Sequence, residues 1–275
     1  MPKNLVATSS EPLVSIIMNC FNGEKYLREA VESILNQTYQ NWEVIFWDNQ
    51  SVDDSAAIFK EYNDPRFKYF YAHKHTWLYE ARSYAIERSR GDFIAFLDVD
   101  DIWLPNKLTE QLILFSDSDI GMVCGNYLLK NESNNKKWLA IKNYIPTGWV
   151  LDQLLQLYFV GLLTLIVRRS ALESLDYGCD PKYHIMGDLD LVIRLSVRWK
   201  LDAVQEAIAV CRKHGNNELV KHRQRHIDEL GIWIKEMSDI KEISFNSSFH
   251  YVKNNHIYQK AMNCKRRMNW KLITY

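Results

Sequence analysis

Gly91-Asp92-Phe93-Ile94-Ala95-Phe96-Leu97-Asp98-Val99-Asp100-Asp101 is the stretch on which the reading of this chain turns. Five successive apolar residues, Phe93 to Leu97, lie between a Gly-Asp turn and three carboxylates. Such a run predicts a strand buried on both faces of a largely parallel sheet. Ligands of open α/β sheets bind beyond the carboxyl ends of the strands, so the acids stand where a site is expected. In extended chain the side chains of Asp98 and Asp100 point the same way and their carboxylates converge. Two such groups repel one another unless they share a cation. A hard divalent ion that leaves positions for phosphate and water satisfies both. The competing reading is that the acids cap a helix following Ile102-Trp103-Leu104-Pro105.

Upstream, the same plan recurs. Leu13 to Met18 is a β-branched run delivered into Asn19-Cys20-Phe21-Asn22-Gly23, and Glu24 to Gln37 carries apolar residues at helical spacing. Trp42 to Trp47 reads as a strand with the polar exit Asp48-Asn49-Gln50-Ser51, then Asp53 to Tyr62 as a helix. Phe67 to Tyr71 and Thr76 to Ser89 repeat the pair, after residues 1 to 12 as a loose lead-in. Strands alternating with helices predict a Rossmann-like, mostly parallel α/β sheet with right-handed crossovers. Downstream, Pro105 to Phe115 reads as a helix, Ile120 to Leu129 as a strand and 130 to 137 as a polar surface loop. Thr147 to Tyr158 looks helical, Leu162 to Val167 a strand, Arg169 to Leu175 a short helix, and Gly187 opens another helix. Leu201 to Val210 reads as a strand leading to Cys211-Arg212-Lys213-His214. The division expected is a catalytic domain over 1–217, with a donor half at about 13–101 and an acceptor half at about 102–217, then a helical extension over 218–275.

The chain has 275 residues, enough for a sizeable core. Lys plus Arg and Asp plus Glu number 34 each, so the global basic field that nucleic-acid binding needs is missing. Five scattered cysteines without a Cys-x-x-Cys pair point to a reducing compartment and away from structural zinc. Leu154 to Val167, the most apolar stretch, is interrupted by Gln156 and too short to span a bilayer, and the amino terminus lacks a signal-peptide run. A cytoplasmic protein is expected. Residues 241–275 carry seven basic residues against Glu242, with aromatics interleaved, which suits a solvated helical cap or peripheral contact with an anionic membrane surface.

Several ordered segments resemble family 2 inverting glycosyltransferases with a glycosyltransferase A-type fold. They are Pro12 to Asn22, Glu43 to Ser55, Ala81-Arg82-Ser83 followed by Gly91 to Asp101 with its Asp-x-Asp motif, Ile166 to Ser170, Gly178-Cys179-Asp180, and Gly187 to Leu195. The chain departs from the family with Phe21 for a Tyr, Asn19 for a Pro, and Gly187-Asp188 where Glu-Asp is usual. The resemblance implies that Phe21 and Asn22 flank the nucleotide base, that Asp48 accepts a hydrogen bond from it, and that Arg82 faces the diphosphate. It implies that Asp98 contacts ribose or metal, that Asp100 holds Mn²⁺ or Mg²⁺ directly, and that Asp101 orients or caps. His214, in an Arg-x-His element, would reach the metal or the diphosphate. Structural alternatives stand beside these roles: core packing for Phe21, a turn for Asp48, a surface ion pair with Glu80 or Glu87 for Arg82. His73, His75 and His184 have no metal-ligand spacing among themselves.

A sugar hydroxyl needs a base. Asp188 and Asp190 are two apart on a helix and do not share a face, and Asp190 stands four before Arg194, the spacing of a surface salt bridge. Asp188 is therefore the expected base, with a helix N-cap as its alternative. The expectation is a metal-dependent enzyme moving a sugar from a nucleoside diphosphate sugar, a UDP-sugar first, to a hydroxyl of a glycan or lipid-linked acceptor in bacterial surface polysaccharide synthesis. Two competitors remain open: a nucleotide-sugar-binding protein impaired at the base, and a nucleotidyltransferase, although Asn19 to Gly23 is no glycine-rich phosphate loop.

Overall fold

The computed structural model describes residues 11–215, 217 and 221–273, with the side chains of the last helix described as far as Cys264. Strands β1 (Val14–Cys20), β2 (Trp42–Asp48), β3 (Phe67–Tyr71) and β4 (Phe93–Phe96) alternate with helices α1 (Glu24–Leu35), α2 (Ser55–Lys60) and α3 (Leu78–Glu87). They pair in parallel in the order β3-β2-β1-β4. β1 and β2 are buried at every position because helices cover both faces. Alternation divides them: Val14, Ile16 and Met18 pack with α1, while Ile17 joins α3 on the other side.

Beyond β4 the sheet becomes mixed. β8 (Ile166–Arg168) runs antiparallel to β4 and to β6 (Ile120–Asn131), β6 pairs in parallel with β9 (Lys200–Lys213), and β5 (Ile102–Trp103) closes the far edge against β9. The α/β sheet flanked by helices is thus as expected, with antiparallel β8 separating the parallel strands β1 to β4 from the parallel pair β6 and β9. Between β6 and β9 lie α5 (Leu151–Gln156), α6 (Arg169–Glu173) and α7 (Gly187–Ser196), and α4 (Lys107–Leu112) follows β5.

Several boundaries move for local reasons. The polar stretch 130–137 is a hairpin, since β6 runs on to Asn131 and pairs with β7 (Lys137–Leu139) through backbone bonds that an exposed polar composition does not reveal. Helix α5 starts late because Gly148 sits at φ 85° and exchanges backbone hydrogen bonds with Leu201. Leu162–Thr164 is a 3₁₀ turn before β8.

Among the described residues three helices follow, α8 (Arg223–Met237), a short helix at Lys241–Ser244 and a final one at Phe249–Ile273. Leu230, Trp233, Met237, Ile243 and Phe249 join the core that holds α3, α5 and α7. The extension therefore packs as part of the main fold. No helix among the described residues is long and apolar enough to cross a membrane, and none of the five cysteines is disulfide-bonded.

Candidate active site

Three turns meet at the carboxyl end of the parallel strands. After β1, Asn22 takes a left-handed conformation at φ 54°, which asparagine tolerates better than most residues. Its N–H donates to Ser51 Oγ at 3.0 Å and its Oδ1 accepts from Val52 N–H at 2.9 Å, so the turns after β1 and β2 brace each other. Gly23 makes room for the acidic turn: a Cβ there would lie 2.7 Å from Cγ2 of Val99, the residue between Asp98 and Asp100. Phe21 is 52% exposed and leans on the His75 ring, whose centroid is 4.4 Å away. An exposed ring fixed from behind can stack on a base.

Asp48 is fully buried, accepting Ser51 N–H at 2.7 Å and the Tyr69 hydroxyl at 2.7 Å. Burial and both bonds fix its carboxylate in the turn after β2.

The acidic stretch is likewise not extended. β4 stops at Phe96, and Asp101 N–H bonds back to Asp98 O at 3.0 Å, closing a turn that sends the two carboxylates to different partners. Asp98 pairs with Arg82, whose Nη2 lies 2.6 and 2.9 Å from its two oxygens. Arg82 is thus neither a surface residue nor paired with Glu80 or Glu87: it is 2% exposed on α3, with its guanidinium 4.6 Å from the centre of the Tyr79 ring. Asp100 faces His214 Nε2 at 2.9 Å, with the Asn217 amide at 3.5 Å and the Tyr26 ring stacked on the imidazole. Asp101 accepts the Arg212 N–H at 3.1 Å, and Arg212 also binds Glu29 and the Asp100 carbonyl. Asp101 therefore anchors the end of β9, and the following helix begins only at Lys107.

Burial, then the charge of Asp98, pushes the Asp100 carboxyl up, partly offset by the His214 hydrogen bond. Burial, then Asp100 and Asp98, raises Asp101 well above the ordinary range. Such crowding of negative groups favours a cation. Among the described residues no three His, Cys, Asp or Glu side chains form a complete metal cage. A carboxylate beside an imidazole nevertheless fits a divalent ion that takes its remaining ligands from a diphosphate. Of the two expected ligands, Asp100 has this second donor; Asp98 faces Arg82.

On the opposite wall, α7 begins with Gly187 and Asp188. Asp188 lies in a cleft of about 320 Å³ lined also by Tyr79, Arg82, Asp98, Tyr158 and His184. The Tyr158 hydroxyl is 3.4 Å from Asp188 Oδ2. Burial raises the Asp188 carboxyl, opposed by the Leu189 N–H, the Arg82 charge and a hydrogen bond from Tyr79. A carboxylate made more basic in this way is suited to taking a proton. Asp190 is buried rather than superficial. It is held by Arg194 Nη2 at 2.6 Å and Trp233 Nε1 at 3.2 Å, and its partner Arg194 also binds the Tyr177 and Gly178 carbonyls.

The family model of Glycosyl transferase family 2 matches residues 15–174. The chain belongs to that family. Within it, this chain is 34% identical over 166 residues to the UDP-Glc:alpha-D-GlcNAc-diphosphoundecaprenol beta-1,3-glucosyltransferase WfgD of Escherichia coli, covering 60% of the chain and 64% of the relative. Matches to two further curated relatives cover 66% and 65% of their lengths, so the chain spans just under two thirds of these proteins. The fold is similar to S. aureus TarS 1–349 in complex with UDP, with a TM-score of 0.71 and 17% identity over 89% of this chain and 72% of that one. It is also similar to the mannosyltransferase PcManGT of Pyrobaculum calidifontis in complex with GDP-Man and Mn²⁺, with a TM-score of 0.61 and 13% identity over 97% and 82%. These neighbours support the family 2, glycosyltransferase A-type fold.

The family match ends before α7, and several residues that line or brace the cleft, within the match and beyond it, escape sequence reasoning. Tyr158 follows α5 with no local signature, and Tyr79 reads only as an apolar position of α3. Glu229 on α8 accepts the backbone N–H groups of His184, Ile185 and Met186 at 2.8 to 3.0 Å, immediately before α7. No pattern near 229 announces a partner so distant in sequence.

Proposed function

We propose that the protein is an inverting glycosyltransferase using a UDP-sugar, with Asp188 as the base that activates an acceptor hydroxyl. The observation that carries this reading is the placement of Asp188 in one cleft with Arg82 and Asp98. Phe21 and Asn22 receive the base of the nucleotide. Arg82, oriented by Asp98, presents its other N–H groups to the diphosphate, a geometry suited to a guanidinium fork. Asp100 and His214 are the residues to hold Mn²⁺ or Mg²⁺, near Asp98; when bound, the ion neutralises charge developing on the departing diphosphate. Asp188 takes the acceptor proton, the acceptor oxygen bonds to the anomeric carbon, and the bond to the diphosphate oxygen breaks on the opposite face. Attack opposite the leaving group gives inversion.

The acceptor proposed is a sugar on a lipid diphosphate, of the kind named for the WfgD relative, in assembly of a bacterial surface polysaccharide. A place at the cytoplasmic face of the membrane suits that acceptor. The final helix presents Tyr251, Ile257 and Tyr258 to solvent near Lys253 and Lys260, a composition that favours peripheral contact with anionic lipid.

The test is transfer from UDP-glucose and UDP-GlcNAc to a GlcNAc-diphospholipid, with the product's anomeric configuration read by NMR. A β-linked product from the α-linked donor is expected. Asp188→Asn should lower turnover by about 10²–10⁴-fold. An α-linked product, or full turnover in Asp188→Asn, would contradict the reading.

A further inference from the structure

Gly187 opens α7 directly before Asp188, and the structure shows why no side chain fits there. A Cβ on Gly187 would lie 2.3 Å from both Cγ and Cδ1 of Tyr79, a distance no side chain can adopt. Tyr79 is 3% exposed, so its ring has no solvent to retreat into. The same ring supports the Arg82 guanidinium 4.6 Å above its centre, and Tyr79 lines the cleft together with Asp188. Behind it, Ser83 Oγ bridges the Tyr79 and Cys179 carbonyls at 3.1 and 2.9 Å, tying α3 to the segment that leads into α7. One side chain thus touches the arginine of the donor wall and the first residue of the acceptor-side helix.

We propose that Tyr79, packed on Gly187, is the positioning residue of this site, setting Asp188 against Arg82. The inference rests on the transferase reading above. The ring excludes any side chain at 187 and fixes the distance between the two walls. The Tyr158 hydroxyl lies 3.4 Å from the base carboxylate, and the Tyr79 side chain favours its charged form from the α3 side. An oriented base is worth more than a mobile one because misplacement by a fraction of an ångström lowers the rate without weakening binding. Removing the Tyr79 hydroxyl should therefore affect turnover and spare the donor.

The experiment uses the full chain, assayed for transfer to the GlcNAc-diphospholipid from whichever UDP-sugar the wild type turns over, with UDP and Mn²⁺ binding measured by calorimetry. Failure of the wild type with every donor would refute the transferase reading itself, separately from this inference. In an active protein, Tyr79→Phe keeps the ring and its packing on Gly187, so the fold is not at risk. Its kcat should fall about tenfold while donor KM and UDP affinity stay within about twofold. Gly187→Glu should lose about a hundredfold by overlap with the ring, and Tyr79→Ala/Gly187→Glu should regain at least about tenfold over Gly187→Glu alone, since contacting sites do not add. A merely structural tyrosine would lower the melting temperature and leave this pattern absent. Wild-type kcat in Tyr79→Phe, or a double variant no more active than Gly187→Glu, overturns the proposal.

Discussion

The donor wall and the acceptor wall of the cleft are built by different means. On the donor side, four parallel strands end at nearly the same level, and short turns carrying Phe21, Asp48 and Asp98 lock to one another within about one turn's reach of each strand. On the acceptor side, Asp188 is set by a helix whose start is held from outside. Glu229 caps the segment 184–186, Trp233 reaches Asp190, and Tyr183 donates to Glu236 at 2.9 Å. One wall is fixed by local backbone, the other by contacts that close long loops. Local turns tolerate change at their neighbours; a wall held by a few distant contacts depends on each of them.

The comparison would break first at Arg82, which touches both walls. Arg82→Ala leaves Asp98 without its partner and Tyr79 without its guanidinium. Loss of a well-buried guanidinium from such a pair should cost about 2–3 kcal/mol, discounted because Asp98 is 39% exposed. Chemical denaturation should report that loss, and UDP affinity should fall with it; unchanged stability would mean that the walls are not joined there.

Next comes Glu229. Its carboxylate is 5% exposed and satisfies three backbone donors, so Glu229→Ala should cost about 2 kcal/mol. Turnover should fall more than UDP binding does, because only the acceptor wall loosens. Equal losses in both would erase the distinction between the walls.

The pH profile sharpens the same point. Burial raises the Asp188 carboxyl, so it takes up a proton at a higher pH than a free aspartate, and the base is lost earlier as pH falls. The acid limb of kcat should lie above the value of about 4 for free aspartate, while UDP and Mn²⁺ binding over the same range separates it from protonation of Asp100. A limb at the free-aspartate value would show that Asp188 is not the buried base.

Smallest is Gln50, which holds φ 68° in the turn after β2. Gln50→Gly removes left-handed strain and adds unfolded-state entropy, for a net gain of up to about 1 kcal/mol. Turnover should not change, as befits a wall made of robust local turns.

How much the sequence reveals follows the same division. The strands up to Phe96 are legible because apolar β-branched runs between polar turns have few other readings; they place Asp100 just beyond β4, whereas His214 and Asp188 at the start of α7 enter through the family resemblance. The partners of the acids are not legible. Asp98 and Asp100 diverge because a backbone hydrogen bond closes a turn that an extended-chain argument does not anticipate. Arg82 finds Asp98 across the sheet, while its neighbours Glu80 and Glu87 on α3 offer the obvious local pairs. The hairpin at 130–137 is hidden because its connecting turn is polar and its second strand is short and exposed. The capping by Glu229 and the exclusion of a side chain at 187 by Tyr79 are tertiary facts with no periodic trace.

The central claim is that two carboxylates divide the labour of the proposed site, Asp100 for the donor and Asp188 for the acceptor. Calorimetric titration of UDP with and without Mn²⁺, run beside turnover for wild type, Asp100→Ala and Asp188→Asn, tests it most directly. The account predicts that Asp188→Asn binds UDP and Mn²⁺ as the wild type does yet fails to transfer, and that Asp100→Ala loses metal-dependent UDP binding. Full turnover in Asp188→Asn, or unaltered metal-dependent binding in Asp100→Ala, would contradict it.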